Sequence, residues 1–375
     1  MRNLATIQIV VNIRPIPGAD AIEVCDVLGW HVVIKKGEFK ENDLCVYVEI
    51  DSTLPDKPDF EFLRERKFKV KTIKLRGQIS QGICFPLSIL KTKKRGIGDD
   101  VTDELGVTKY EPDQYNSDGN KQKGKYVFPN WFPIWLRRFL VKKVPVLARV
   151  VIMILPRSQR TMAKTWLGVF PKTDETRVQV LKPLLDKYAG TKCYVTEKLD
   201  GSSITCYWYK GKFGVCSRNL DIDRDETNPF WRTAIQMGIE ERLMALNINV
   251  AIQGEIVGES IQGNKYKLSG KTIFFFSAFD IGNQRYYSYF QFKTLMSELG
   301  LPIVPILNEN YTLIPDIDAI VNEADGESLI GNNPREGIVI RPLTDIYDFD
   351  FAKFLVSGRV SFKAVSPKFL LKYGE

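Results

Sequence analysis

The first ninety residues alternate apolar and polar positions in short, β-branched runs. Thr6-Ile-Gln-Ile-Val-Val-Asn-Ile13, Ala21-Ile-Glu-Val-Cys-Asp-Val27, His31-Val-Val-Ile34 and Leu44-Cys-Val-Tyr-Val-Glu-Ile50 read as strands. Turn signals at Pro15-Ile-Pro-Gly18, Lys36-Gly37 and Glu41-Asn-Asp43 separate them. Four or five strands so spaced predict a small barrel of OB type over residues 1–110. Such a barrel serves equally as a nucleic-acid binder or as a protein-packing module. From Asp174 the pattern becomes mixed. It predicts a helix over Glu175 to Tyr188, capped by Thr173 or Asp174, and strands at Cys193–Thr196 and Ser203–Tyr209. A helix over Pro229 to Leu246 follows, then strands Val250–Ile256 and Ile273–Phe279 and a helix from Tyr289 to Leu299. Strands Gly337–Arg341 and Val360–Val365 close the domain, taken as 174–375.

The segment between them, 111–173, follows neither pattern. From Gly119 to Thr173 it holds 12 Lys and Arg and no Asp or Glu, interleaved with apolar residues as in Trp131-Phe-Pro-Ile-Trp-Leu-Arg-Arg-Phe139. The whole chain of 375 residues carries +8, so everything outside that segment sums to 41 basic against 45 acidic. A basic, apolar stretch fits a membrane-surface helix, an arm on a phosphate backbone or a linker docked on a neighbouring domain. For residues 119–168 a membrane or partner contact therefore stays open. With 44% hydrophobic and 26% charged residues, the chain is globular, large enough for two domains, and not disordered or fibrous.

Composition also excludes chemistries. Six cysteines without a CxxC pair argue against zinc and for a reducing compartment. His31 is the single histidine, so a His-based triad or a His-rich metal site has one candidate at most. No signal-peptide core or 18-residue apolar run occurs, and an intracellular location, cytoplasmic or nuclear, is expected.

One tetrapeptide carries chemistry: Lys198-Leu-Asp-Gly201, preceded by Glu197. A lysine between a strand end and a glycine turn is placed to present its amine as a nucleophile. Downstream, in order, lie Ser217-Arg-Asn219, Gln253-Gly-Glu-Ile256, Phe275-Phe-Ser-Ala-Phe-Asp280, Glu336-Gly-Ile-Val-Ile-Arg341 and Ser361-Phe-Lys-Ala-Val365. The series resembles the motif set of the covalent nucleotidyltransferases: DNA ligases, RNA ligases and mRNA capping enzymes. It is most similar to the RNA ligase 2-like branch, and within it to the Deinococcus-type ATP-dependent RNA ligases, whose OB-like domain comes first. Only 12 residues follow Lys363, too few for the carboxy-terminal OB domain of DNA ligases and capping enzymes. The resemblance implies an α+β protein: an N-terminal OB-like β-barrel followed by a C-terminal adenylyltransferase domain, ATP-grasp-like, of antiparallel sheets and helices.

It also implies roles. Lys198 attacks the α-phosphate of ATP and forms a lysyl-AMP. A lysine amine titrates near 10.4 ordinarily, so Lys198 needs a neighbouring positive charge, a metal or Lys363, to become a nucleophile. Asp200, Glu255 and Glu336 are the hard oxygen groups for Mg²⁺ or Mn²⁺, with Glu255 alternatively touching the ribose. Phe279 or Phe276 stacks on adenine, Glu197 contacts it, and Gly201 belongs to the nucleotide-binding turn. Lys363 clamps the phosphates. Position 365 is Val where the phage-type pattern has a second lysine, which leaves Lys368 as the nearby substitute. Arg218 engages the RNA 5′-phosphate. The implied activity is ATP-dependent joining of an RNA 5′-phosphate to a 3′-hydroxyl at nicks or breaks in duplex RNA, by a monomer. The alternatives are an RNA-binding protein with a degenerate catalytic domain, a DNA ligase and a capping guanylyltransferase.

Overall fold

The computed structural model describes residues 3–91, 96–110, 164–165 and 167–374. Nearly all of the basic segment expected at 119–168 therefore lies outside the described residues. The packing divides the chain into two units: Met1–Pro112 with Asp174–Leu199 and Val304–Glu375, and Asp113–Thr173 with Asp200–Ile303.

In the first unit the alternating runs become β1 (Ala5–Ile9), β2 (Val11–Pro15), β3 (Ile22–Val27), β4 (Trp30–Lys35) and β5 (Leu44–Val48). Short strands follow: β6 (Ser52–Thr53), β7 (Lys69–Val70), β8 (Ile73–Leu75), β9 (Gln78–Ser80), β10 (Ile83–Pro86) and β11 (Thr108–Lys109). β5 lies between β1 and β10, β3 between β2 and β4, and β6 between β11 and β7. The expected single strand Thr6–Ile13 is two strands. Asn12 adopts a left-handed φ of 53°, and the β2–β3 register slips between Val11 and Arg14. Such an irregularity bends a strand as a closing barrel requires. Ile7, Cys25, Trp30, Cys45, Tyr47 and Phe60 are buried in the core. All six cysteines of the chain are buried free thiols, as their strand positions suggest.

A second sheet of this unit has the order β13-β23-β22-β14-β21, with β13 (Thr176–Arg177), β14 (Lys192–Lys198), β21 (Ile306–Thr312), β22 (Gly337–Pro342) and β23 (Phe362–Val365). β14 is antiparallel to both neighbours. The helix expected from Glu175 to Tyr188 is instead β13, a 3₁₀ turn at Val178–Val180 and a short helix, Lys182–Lys187. Pro183 explains the late start, since proline fits the first turn of a helix and not its interior. Barrel and sheet share apolar packing: Val365 and Leu370 belong to the barrel core. Gly29 donates its N–H to the Gln179 carbonyl at 2.8 Å. The one histidine also spans this junction, with Nδ1 2.7 Å from Asp26 and Nε2 3.3 Å from Asp318. Its Asp26 hydrogen bond raises its pKa, which gives His31 a structural partner set.

The second unit is built on a seven-stranded sheet of order β12-β17-β16-β15-β18-β19-β20. Its strands are β12 (Lys164–Thr165), β15 (Ser202–Tyr209), β16 (Lys212–Ser217), β17 (Leu220–Ile222), β18 (Val250–Gly258), β19 (Lys271–Asp280) and β20 (Arg285–Tyr286). Helices Pro229–Gln236, Ile239–Leu246 and Tyr289–Glu298 cover one side through Trp231, Leu243, Phe292 and Leu295. Phe170, Tyr207, Phe279 and Tyr286 form a separate aromatic cluster. The expected helix Pro229–Leu246 is two helices, because Gly238 takes a left-handed φ of 62°. Asn228 caps the first by accepting from Phe230 N–H at 2.9 Å.

Gly29 sits so close to the chain around Gln179 and Ile317 that a Cβ there would lie 2.6 Å from Ile317 Cδ1 and 2.8 Å from the Gln179 carbonyl oxygen. Gly29→Ala should therefore lower unfolding stability by about 1–3 kcal/mol, the usual cost of overpacking. Urea titration followed by tryptophan fluorescence measures it.

Candidate active site

In the first unit, β14 delivers Lys198 as its last residue, paired with Gly337 of the antiparallel β22. Glu336 immediately precedes that glycine. This register brings the two side chains together: Lys198 Nζ donates to Glu336 Oε1 at 2.7 Å and to Oε2 at 2.6 Å. The pair is largely buried, with 24% and 13% side-chain exposure. On the far side of β22, Val339 pairs with Lys363 of β23, and Lys363 Nζ lies 3.4 Å from Asp174 Oδ1. Burial pushes the Lys363 pKa down to about 8, Asp174 opposes the shift, and the charges of Lys198 and Arg177 add to it. The structure thus gathers Lys198, Glu336 and Lys363 as their order in the sequence leads one to expect.

Glu197 is placed differently. Alternation along β14 turns it to the face opposite Lys198, where it is 1% exposed. There it accepts from Ser328 Oγ at 2.5 Å and from Leu329 N–H at 2.9 Å. Desolvation raises its pKa against those hydrogen bonds. Lys368 is 75% exposed and pairs with Asp325 at 3.1 Å, not with a carboxylate of the Lys198 cluster.

In the second unit the turn continues through Asp200 and Gly201. Asp200 N–H donates to Tyr266 Oη at 2.6 Å, and its carboxylate lies 2.7 Å from Lys265 Nζ, each side chain 12% exposed. A Cβ at Gly201 would meet the Ile256 carbonyl oxygen at 2.3 Å and Glu255 Cγ at 2.9 Å. Glycine is thus required there by the close approach of β18. Glu255, on β18, is half-buried and stands opposite Ser203 of β15 and Phe274 of β19. Of the two candidate stacking rings, Phe279 is 4% exposed and packs edge-on against Tyr286 at 5.1 Å. Phe276 is half-buried at a β-bulge, where the register slips between Gln253 and Gly254. Arg218 is exposed in the turn between β16 and β17.

Three groups escaped the sequence reading. Lys265 and Tyr266 brace Asp200 from a loop with no motif of its own. Arg177 lies beside Lys363 in the β13–β23 pairing and bonds Asp51 at 2.7 Å while 9% exposed. The Asp-Glu-Thr-Arg run at 174–177 was its only signal. Among the described residues, no three His, Cys, Asp or Glu converge as a ready metal-ligand cluster. The carboxylates nevertheless suit a hard cation, because Glu336 and Asp200 each hold an ammonium group at contact distance.

The lysine at the end of β14 thus precedes an Asp-Gly turn, is held by a glutamate across the sheet and has a second lysine two strands away. Residues 4–87 match an OB-fold domain model and residues 191–365 match an RNA ligase model. The chain is similar to Naegleria gruberi RNA ligase. A variant solved without ligand is 34% identical over 98% of this chain and 97% of that one, at a TM-score of 0.78. A lysine-to-alanine variant solved with ATP and Mn matches over 98% of both chains at 0.77 with 34% identity. The same enzyme with PPi matches over 99% of this chain and 98% of that one at 0.78, again with 34% identity. No curated protein matches. The chain belongs to the RNA ligase family, with an N-terminal OB-fold domain followed by a C-terminal nucleotidyltransferase domain.

The depressed Lys363 pKa is directly measurable. A lysine titrating near 8 is half neutral there, while an ordinary one needs about pH 10.4. Amine-selective labelling at increasing pH, read by peptide mass spectrometry, should show Lys363 reacting with a midpoint near 8, well below the range of an ordinary lysine.

Proposed function

We propose that the protein is an ATP-dependent RNA ligase that seals a 5′-phosphate to a 3′-hydroxyl at nicks or breaks in duplex RNA, carrying AMP on Lys198. The observation that supports this best is the Lys198–Glu336 pair beside Lys363, a nucleophile, its carboxylate partner and a phosphate clamp on three adjacent strands. Spacing adds support. In the Naegleria gruberi structures, positions altered to alanine include a lysine, an aspartate two residues later and a glutamate 57 residues later. Lys198, Asp200 and Glu255 have those same spacings.

The Lys198 amine must leave its two hydrogen bonds to Glu336 and lose a proton before it can attack. Attack on the α-phosphorus of ATP then forms the P–N bond of lysyl-AMP and breaks the bond to the β-phosphate, releasing pyrophosphate. Lys363 faces the phosphates as a cation and neutralises charge as the leaving group departs. Mg²⁺ or Mn²⁺, when bound, supplies further neutralisation of the phosphates, and Asp200, Glu255 and Glu336 are the groups that would hold it or its waters. Phe276 is the ring for adenine, since Phe279 is committed to the aromatic cluster. The exposed Arg218 suits the RNA 5′-phosphate, which takes AMP from Lys198 and is then attacked by the 3′-hydroxyl with loss of AMP. Each step moves a phosphoryl or nucleotidyl group and none requires histidine. The barrel-first domain order favours the Deinococcus-type branch over DNA ligases and capping enzymes.

Because Lys198 serves only to carry AMP, its loss should be bypassed by RNA already adenylylated at its 5′ end. Lys198→Ala should abolish sealing of a 5′-phosphate nick with ATP, by more than about 100-fold, yet seal the adenylylated nick. Failure of the wild type to seal any nicked RNA duplex with ATP would sink the proposal. Faster reaction with GTP would indicate capping chemistry.

A further inference from the structure

Residues 66–76 of the barrel, Arg-Lys-Phe-Lys-Val-Lys-Thr-Ile-Lys-Leu-Arg, hold six basic and no acidic side chains. They stand out in a chain whose remainder, leaving out 119–173, is slightly acidic. Charge runs are commonly just solvated faces, but three observations set this one apart. First, most of the run lies at the surface: Val70 and Thr72 are buried, while Lys69 and Lys71, on either side of Val70, are half-buried. Lys67, Lys74 and Arg76 are exposed. Second, none of the six forms a salt bridge with a carboxylate among the described residues. Arg64, just before them, is bonded by both Asp56 and Glu61 at 2.6–2.7 Å. A row of like charges without counter-ions destabilises a fold by self-repulsion, so stability does not account for it. Third, the row is braced. Lys69 Nζ sits 3.9 Å over the Tyr110 ring and Lys71 lies 6.0 Å from it. Lys71 also donates to the Gly374 carbonyl, which joins the row to the exposed Lys372 of the C-terminal helix.

Resting on the ligase reading, we propose that this ridge binds the phosphate backbone of the RNA duplex flanking the join, independently of sequence. Lysine-rich, unpaired positive charge suits a polyphosphate. It does not suit the core of a protein interface, where lysine is depleted and aromatic anchors dominate. The ridge therefore acts in holding nucleic acid and has no part in AMP transfer to Lys198.

The test uses the full-length protein carrying Lys67→Gln, Lys74→Gln and Arg76→Gln together, all at exposed positions. Self-adenylylation with ATP should stay within about twofold of wild type. The KM for a nicked RNA duplex should rise about tenfold, and the slope of log affinity against log salt should become shallower by about 2 to 3. An unchanged salt slope overturns the proposal, whether or not KM moves, because loss without a change in slope reflects structural damage. Retained RNA affinity with lost binding of poly-glutamate would assign the ridge to an acidic protein and also overturns it. A wild type that takes up no AMP would instead defeat the ligase reading, and the salt slope of RNA binding would still decide the ridge.

Discussion

The ion pair between Lys198 and Glu336 is the constraint on which the catalytic sheet of the first unit turns. A half-buried ammonium and carboxylate are costly to desolvate and persist only where geometry is good. Two hydrogen bonds of 2.6–2.7 Å meet that demand here. They depend on the β14–β22 register, which pairs Lys198 with Gly337 and places Glu336 one residue before it. Slipping that register by one residue would turn Lys198 to the face now occupied by Glu197. The burial of Ile338, Ile340 and Phe362 holds the register from below, and Lys198 is thus positioned by packed strands and not by a loop.

The pair also explains a division of labour among cations. Lys198 donates to both oxygens of Glu336, whereas Lys363 lies 3.4 Å from the more exposed Asp174, and burial lowers its pKa. In the second unit, Lys265 and Tyr266 fix Asp200, two positions after Lys198. The backbone there is pinned by Gly201, where β18 leaves no room for a side chain.

Much of this was legible in the sequence, and the reasons for the misses are physical. Strands declared themselves because alternation and β-branching are local signals, and the motif order named Lys198, Glu336 and Lys363 before any geometry was known. Helix lengths were misjudged where one residue overrides a periodic pattern: Pro183 delays one helix, and Gly238 splits another. The partners of Asp200 and Glu197 were not legible, because Lys265 and Ser328 are brought in from 65 and 131 residues away by tertiary folding. Between Phe276 and Phe279 only burial could choose, and a run as apolar as Ile273–Phe279 does not show which rings the core takes. Net charge also needed the structure for its meaning, since an overall +8 conceals an acidic average and an unpaired basic row on the barrel.

The most direct measurement is peptide mass spectrometry of the protein after incubation with ATP and Mg²⁺. The account predicts a single AMP on the peptide containing Lys198, attached through nitrogen, so that it survives denaturation and is released by acid. AMP on any other residue, or none at all, would contradict it.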